Sequence, residues 1–207
     1  MAITISAKST QKEIVPSGTH VAICYRMIHI GTQEFEWGGE TKKVDKVRLS
    51  FELPHELRTY GDNELPMAIS KEYTLSLHEK ANLRKDLESW RGKTFTEDEL
   101  KSFDLTNLLG VACNLSIVHD TTKSGATYPK ITNISALSKG MEKPVQINES
   151  FEFNYDSEFN TDWLDNECPD WLRETIKATP EYQERIAQLE GAELDKVLDQ
   201  KTDDLPF

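Results

Sequence analysis

The stretch Lys43-Val44-Asp45-Lys46-Val47-Arg48-Leu49-Ser50-Phe51-Glu52-Leu53 alternates more cleanly than any other in the chain. Successive side chains of an extended backbone point to opposite faces. Val47, Leu49, Phe51 and Leu53 therefore share one side, and Lys46, Arg48, Ser50 and Glu52 the other. The pattern predicts a half-buried strand whose exposed face begins basic.

Working outward, residues 1–18 form a polar lead-in ending in Pro16-Ser17-Gly18. His20 to Ile30 is dense in β-branched and apolar residues and predicts a strand. Gly31 to Glu40 reads as a loop carrying Phe35 and Trp37, closed by Gly38-Gly39. On the other side, Pro54 to Pro66 reads as a polar connection with Gly61-Asp62-Asn63 as its turn. Met67, Ile69, Tyr73, Leu75 and Leu77 then alternate as a third strand. From Glu79 the period changes: Leu83, Leu87 and Trp90 recur at helical spacing, with Gly92 as a stop. Thr96-Glu97-Asp98-Glu99 has the form of a capping box. Gly110 to His119 predicts a fourth strand, with Val111, Cys113, Leu115 and Ile117 on one face. Asp120 to Thr127 is a loop with Lys123 and Gly125, and Tyr128 to Leu137 a fifth strand.

The element order is β-β-β-α-β-β. The fold class expected is mainly β, a five-stranded OB-type Greek-key barrel with one helix between strands 3 and 4. It would occupy residues 1–140, followed by an acidic, partly helical tail at 141–207.

Charge supports that division. The chain has 207 residues and a formal net charge of −12. Residues 1–140 carry 18 Lys and Arg against 18 Asp and Glu, whereas residues 141–207 carry 6 against 18. All of the excess negative charge thus lies in the last third. Met141 to Asn160 is acidic with Phe151, Phe153, Tyr155 and Phe159 interspersed, and has no obvious packed element. Pro169 precedes a predicted helix, Asp170 to about Lys177, with Trp171, Leu172 and Ile176 on one side. Pro180 opens another, with Tyr182, Ile186 and Leu189 at helical spacing.

No apolar run is long enough to span a bilayer, and Met1 to Ser6 lacks the basic and apolar blocks of a secretion signal. Cys24, Cys113 and Cys168 are odd in number and form no C-x-x-C pair, which fits a reducing, cytoplasmic setting. His20, His29, His55, His78 and His119 are scattered without metal-ligand spacing, and no Walker loop or G-x-S-x-G is present. The expectation is a protein without catalytic residues, metal or cofactor.

The terminal residues Asp203-Asp204-Leu205-Pro206-Phe207 resemble the last peptide of bacterial single-stranded-DNA-binding proteins. In that peptide an acidic pair precedes an aliphatic residue, Pro and a final Phe. A terminal aromatic with a free carboxylate suits an apolar pocket flanked by a basic residue. The runs Ser70 to Lys80, Leu83-Arg84-Lys85, Trp90-Arg91-Gly92-Lys93, Phe95-Thr96 and Phe103-Asp104-Leu105 resemble phage-encoded OB-fold proteins of replication and recombination. That resemblance, over about residues 18–140, implies binding of single-stranded DNA in a bacterial cell, and the terminal peptide implies recruitment of replication or recombination proteins.

Binding a single strand without sequence preference requires modest positive charge and aromatic faces for base stacking. In an OB-type barrel the groove crosses strands 2 and 3, between the first–second and fourth–fifth strand loops. The residues expected there are Arg26, Phe35, Trp37, Lys42, Lys43, Lys46, Arg48, Lys123, Tyr128 and Lys130. Phe51, Tyr73 and Trp90 are assigned to the core. Competing readings are an adaptor or DNA mimic that binds no nucleic acid, and a nuclease; a homo-oligomer is compatible with all three.

Overall fold

A computed structural model describes residues 13–156 and 159–203, without the side chains of Trp37, Tyr60 and residues 193–203. The alternating stretch at Lys43 is the middle of a much longer strand. In chain order the elements are β1 Gly18–Trp37, β2 Glu40–Tyr60, β3 Asn63–Thr74, α1 Asn82–Arg91, α2 Glu97–Lys101, a 3₁₀ turn at Leu105–Leu108, β4 Ala112–Thr121 and β5 Thr127–Ala136. There follow β6 Phe151–Phe153, α3 Thr161–Asn166, α4 Asp170–Lys177 and α5 Pro180–Asp203.

The fold is mainly β. Its sheet runs in the order β3-β2-β1-β4-β5, all antiparallel, with β6 added parallel to β1. The sheet is open: among the described residues no ladder joins β3 to β5. Its inner face holds a core of Cys24, Met27, Val47, Leu49, Phe51, Leu53, Ile69, Tyr73, Leu115 and Ile134. Helix α1 seals this core with Leu83, Leu87 and Trp90. Burying each such large side chain stabilises the fold by roughly 1.5–3 kcal/mol. Trp90 can be buried because its indole N–H donates to the Ala112 carbonyl at 3.1 Å. The capping box predicted at Thr96 and Glu99 is present at the start of α2.

Two expected loops are strands. Gly31 to Glu40 continues the β1–β2 hairpin to a turn at Gly38-Gly39, whose φ angles of 65° and 82° suit a two-residue hairpin turn. Pro54 to Pro66 likewise extends β2 and β3 to a turn at Gly61-Asp62. Leu75 and Leu77, by contrast, lie beyond the end of β3. Val111 is exposed, although its expected companions Cys113, Leu115 and Ile117 are buried.

Beyond Gly140 the chain is packed, where the sequence offered no element for Met141 to Asn160. Glu52, expected on an exposed face, is fully buried. Its carboxylate accepts from the N–H groups of Ile147 and Asn148, each at 2.7 Å, and from the Asn148 side chain at 2.6 Å. A buried carboxylate is tolerated when its lone pairs are filled in this way. The pinned segment leads into β6, which pairs with β1 at Arg26–Ile28, just past Ile23 where β4 leaves off.

Register shifts at Tyr25 and Ile30 mark bulges in β1. Ile28 and Ile30, two apart in β1 and so on one face, lie in a second core with Phe153, Trp163, Leu164, Leu172 and Ile176. The expected helix at Asp170–Lys177 supplies Leu172 and Ile176. The first turn of α5 is anchored through Glu181, which accepts from the Thr32 N–H at 3.0 Å. Gly31 makes this approach possible. Its φ is +89°, and a Cβ there would lie 2.8 Å from the Tyr155 hydroxyl and 3.0 Å from the Glu181 carboxylate.

Candidate nucleic-acid interface

The β1–β2 hairpin sorts the expected contact residues by face. Phe35 is the register partner of Lys42, so the two share a face, and strand parity puts Lys46 and Arg48 on the same side of β2. Phe35 is 42% exposed, and Lys42 is exposed beside it. Lys43 faces the other way and is held by Glu34 at 2.6 Å. Trp37 ends β1 opposite Glu40, but its side chain lies outside the described residues.

Arg26 and Arg48 sit where expected, on the outer face of the sheet, and both are engaged by the C-terminal segment. The Arg26 guanidinium lies 5.3 Å from the centroid of Phe151 and 5.5 Å from that of Tyr25. Arg48 pairs with Glu72 at 2.7 Å and lies 5.0 Å from the Trp171 ring. Such cation–π contacts hold each guanidinium against an aromatic face.

The third group is apart. Lys123 is exposed in the turn after β4, while Lys130 and Tyr128 both bond Asp120, at 2.9 Å and 3.3 Å. The Lys130 hydrogen bond, with help from the Thr121 N–H, holds the Asp120 carboxyl below the usual range. Antiparallel pairing puts this β4–β5 tip at the Gly18 end of β1, whereas the Gly38-Gly39 tip lies at the Trp37 end. The structure thus groups Phe35, Lys42, Lys46 and Arg48 and separates Lys123, Tyr128 and Lys130 from them.

Two lysines outside the expected set join Lys46. Lys71 and Lys80 line, with it, a cleft of about 540 Å³ between the end of β3 and the start of α1. Nothing in residue spacing relates Lys46 to Lys80; the return of the chain after Thr74 brings them together. Ser76 lies both in this cleft and in the wall of an adjoining apolar cavity of about 350 Å³, lined by Met27, Val47, Leu83, Phe103 and Leu105.

No protein-family model matches the chain, and no curated protein matches it. The expected partner-binding residues Asp204, Leu205, Pro206 and Phe207 lie outside the described residues, as does the side chain of Asp203, whose backbone ends α5. Among the described residues no helix is long and apolar enough to cross a membrane.

Proposed function

We propose that the chain binds single-stranded DNA with little sequence preference and recruits other proteins through Asp203 to Phe207. The setting would be phage DNA replication, recombination or repair in a bacterial cytoplasm. Support for an OB-type barrel comes from the ladder order β3-β2-β1-β4-β5, with α1 between β3 and β4. The same strand order would serve an OB-type barrel, a fold that binds oligonucleotides across its second and third strands. The observation that carries the binding reading is the exposed pair Phe35 and Lys42, register partners on one face of the hairpin. It supplies an aromatic surface for a base and a cation for the phosphate beside it.

A specific observation favours the adaptor reading as the second. Phe151 and Trp171 cover Arg26 and Arg48, so part of the basic face is already engaged by the chain itself. Titration of labelled oligo-dT at two salt concentrations separates the readings. Salt-sensitive binding is expected, and its absence would favour the adaptor; Mg²⁺-dependent cleavage would favour a nuclease. Deleting residues 204–207 should tighten binding at low salt and abolish partner capture; weaker DNA binding would remove any competition between tip and strand.

A further inference from the structure

The lysine-lined cleft beside α1 lies away from both hairpin tips expected to frame the groove. Its walls carry Lys46 on β2, Lys71 at the end of β3 and Lys80 just before α1, with His78 between. Lys71 is paired with Asp86 at 2.7 Å, whereas Lys46 and Lys80 form no ion pair among the described residues. Glu72, the carboxylate of the cleft wall, is occupied by Arg48. The cleft therefore presents two uncommitted ammonium groups around a cavity large enough for a phosphodiester. The wall continues through Ala81, which caps α1 without a side-chain acceptor, to Asn82 in its first turn, so the first N–H groups of that helix add a like-signed partial charge.

The adjoining cavity has the opposite character. Its lining is largely apolar and includes three carboxylates, Asp104, Glu152 and Asp156, beside His29, Ser76, Thr106 and Asn154. Asp104 accepts from the Thr106 hydroxyl and N–H, which hold it ionised below the usual carboxylate range. These carboxylates repel phosphate and can accept hydrogen bonds from the amino and imino groups of a base. A polynucleotide has both parts at one-residue spacing, whereas a free anion has only one.

Resting on the single-strand reading above, we infer that the Lys46–Lys71–Lys80 cleft is a backbone phosphate subsite, from which the strand passes over Ser76 toward the apolar cavity. Lys46 is half-buried and Lys80 exposed, so their replacement leaves the core untouched.

The test is anisotropy of full-length protein with labelled oligo-dT across a salt series, comparing wild type, K46A/K80A and the charge-matched control K101A/K139A. The double variant should bind several-fold more weakly, and its slope of log affinity against log salt should fall by about 0.7, the value of one lost single-strand phosphate contact. The control should retain the wild-type slope. An abasic strand should lose the same factor in K46A/K80A, because the lysines engage phosphate and not base. If wild type binds and K46A/K80A binds with equal affinity and slope, the cleft is overturned while the single-strand reading stands. If wild type binds no strand at low salt, both fall.

Discussion

The guanidinium of Arg48 is held between the Glu72 carboxylate at 2.7 Å and the Trp171 ring, 5.0 Å from its centroid. A cation on the outer face of the sheet is thus shared between β3 and the helix that covers it. Trp171 is 52% exposed, so its removal should leave the second core standing. W171A is expected to bind oligo-dT about 2- to 5-fold more tightly, the worth of one exposed cation–π contact made available to phosphate. Weaker binding would mean that the ring itself stacks on a base.

Glu52 and Asn148 tie residues 141–150 to the sheet. In N148A one hydrogen bond to a buried carboxylate is lost, with an expected cost of about 1.5–3 kcal/mol in urea unfolding. Glu52→Ala leaves the Ile147 and Asn148 N–H groups without their acceptor and should cost roughly 2–4 kcal/mol. Equal stability of E52A and wild type would refute this role.

Glu181 makes the docking of α5 dependent on pH. Burial works to raise its carboxyl, but hydrogen bonds from the Thr32 hydroxyl and N–H outweigh it and hold the group below its ordinary value. A depressed carboxyl stabilises the state in which it is ionised. The contribution is present in full above the ordinary glutamate value of 4.5 and is lost as pH falls below it. Protection factors of the amides of residues 180–186, which correct for intrinsic exchange, should fall from neutral pH to pH 3, and E181Q should remove most of that dependence.

Gly31 tests the same junction sterically. At a φ of +89°, with a Cβ 2.8 Å from the Tyr155 hydroxyl, G31A forces the two apart and strains the backbone. The expected loss is about 1–3 kcal/mol, read as a lower unfolding midpoint. An unchanged midpoint would show that α5 yields freely.

Truncation should separate two parts of the acidic segment. Ending the chain at residue 140 strips Ile28 and Ile30 of their partners Phe153, Leu164 and Ile176. The product should aggregate, as exposed apolar patches do. Ending it at 203 leaves both cores intact and should keep the wild-type melting temperature.

The legible parts of the fold were those with one wet and one dry face. Val47, Leu49, Phe51 and Leu53 announced β2, and Leu83, Leu87 and Trp90 announced α1, because burial imposes the period of the element. The outer half of the β1–β2 hairpin was not legible, since Thr32 to Glu36 has no buried side to alternate against. Glu52 was misread because a charge filled by backbone N–H groups 95 residues away leaves no local mark. β6 has three residues, too few for a pattern alone, though the spacing of Phe151, Phe153 and Tyr155 was a usable period-2 signal. Among the candidate site residues, Phe35 and Lys42 were expected in one loop and are instead register partners in the β1–β2 hairpin. Lys71 and Lys80, which share a cleft with Lys46, left no sequence signal because only the chain's return after β3 brings them there.

The helix α5 has 24 residues, which at 1.5 Å per residue gives a rod of about 36 Å. It is fastened at its first turn and ends at Asp203, the first residue of the peptide proposed to recruit partners. A flexible tether lets a captured enzyme roam through a volume, whereas a rod fixes its stand-off distance. On a strand lined with several protomers, the peptides would form a ladder of grips at regular intervals. An enzyme with two pockets would then be selected by the spacing of those pockets as much as by their fit.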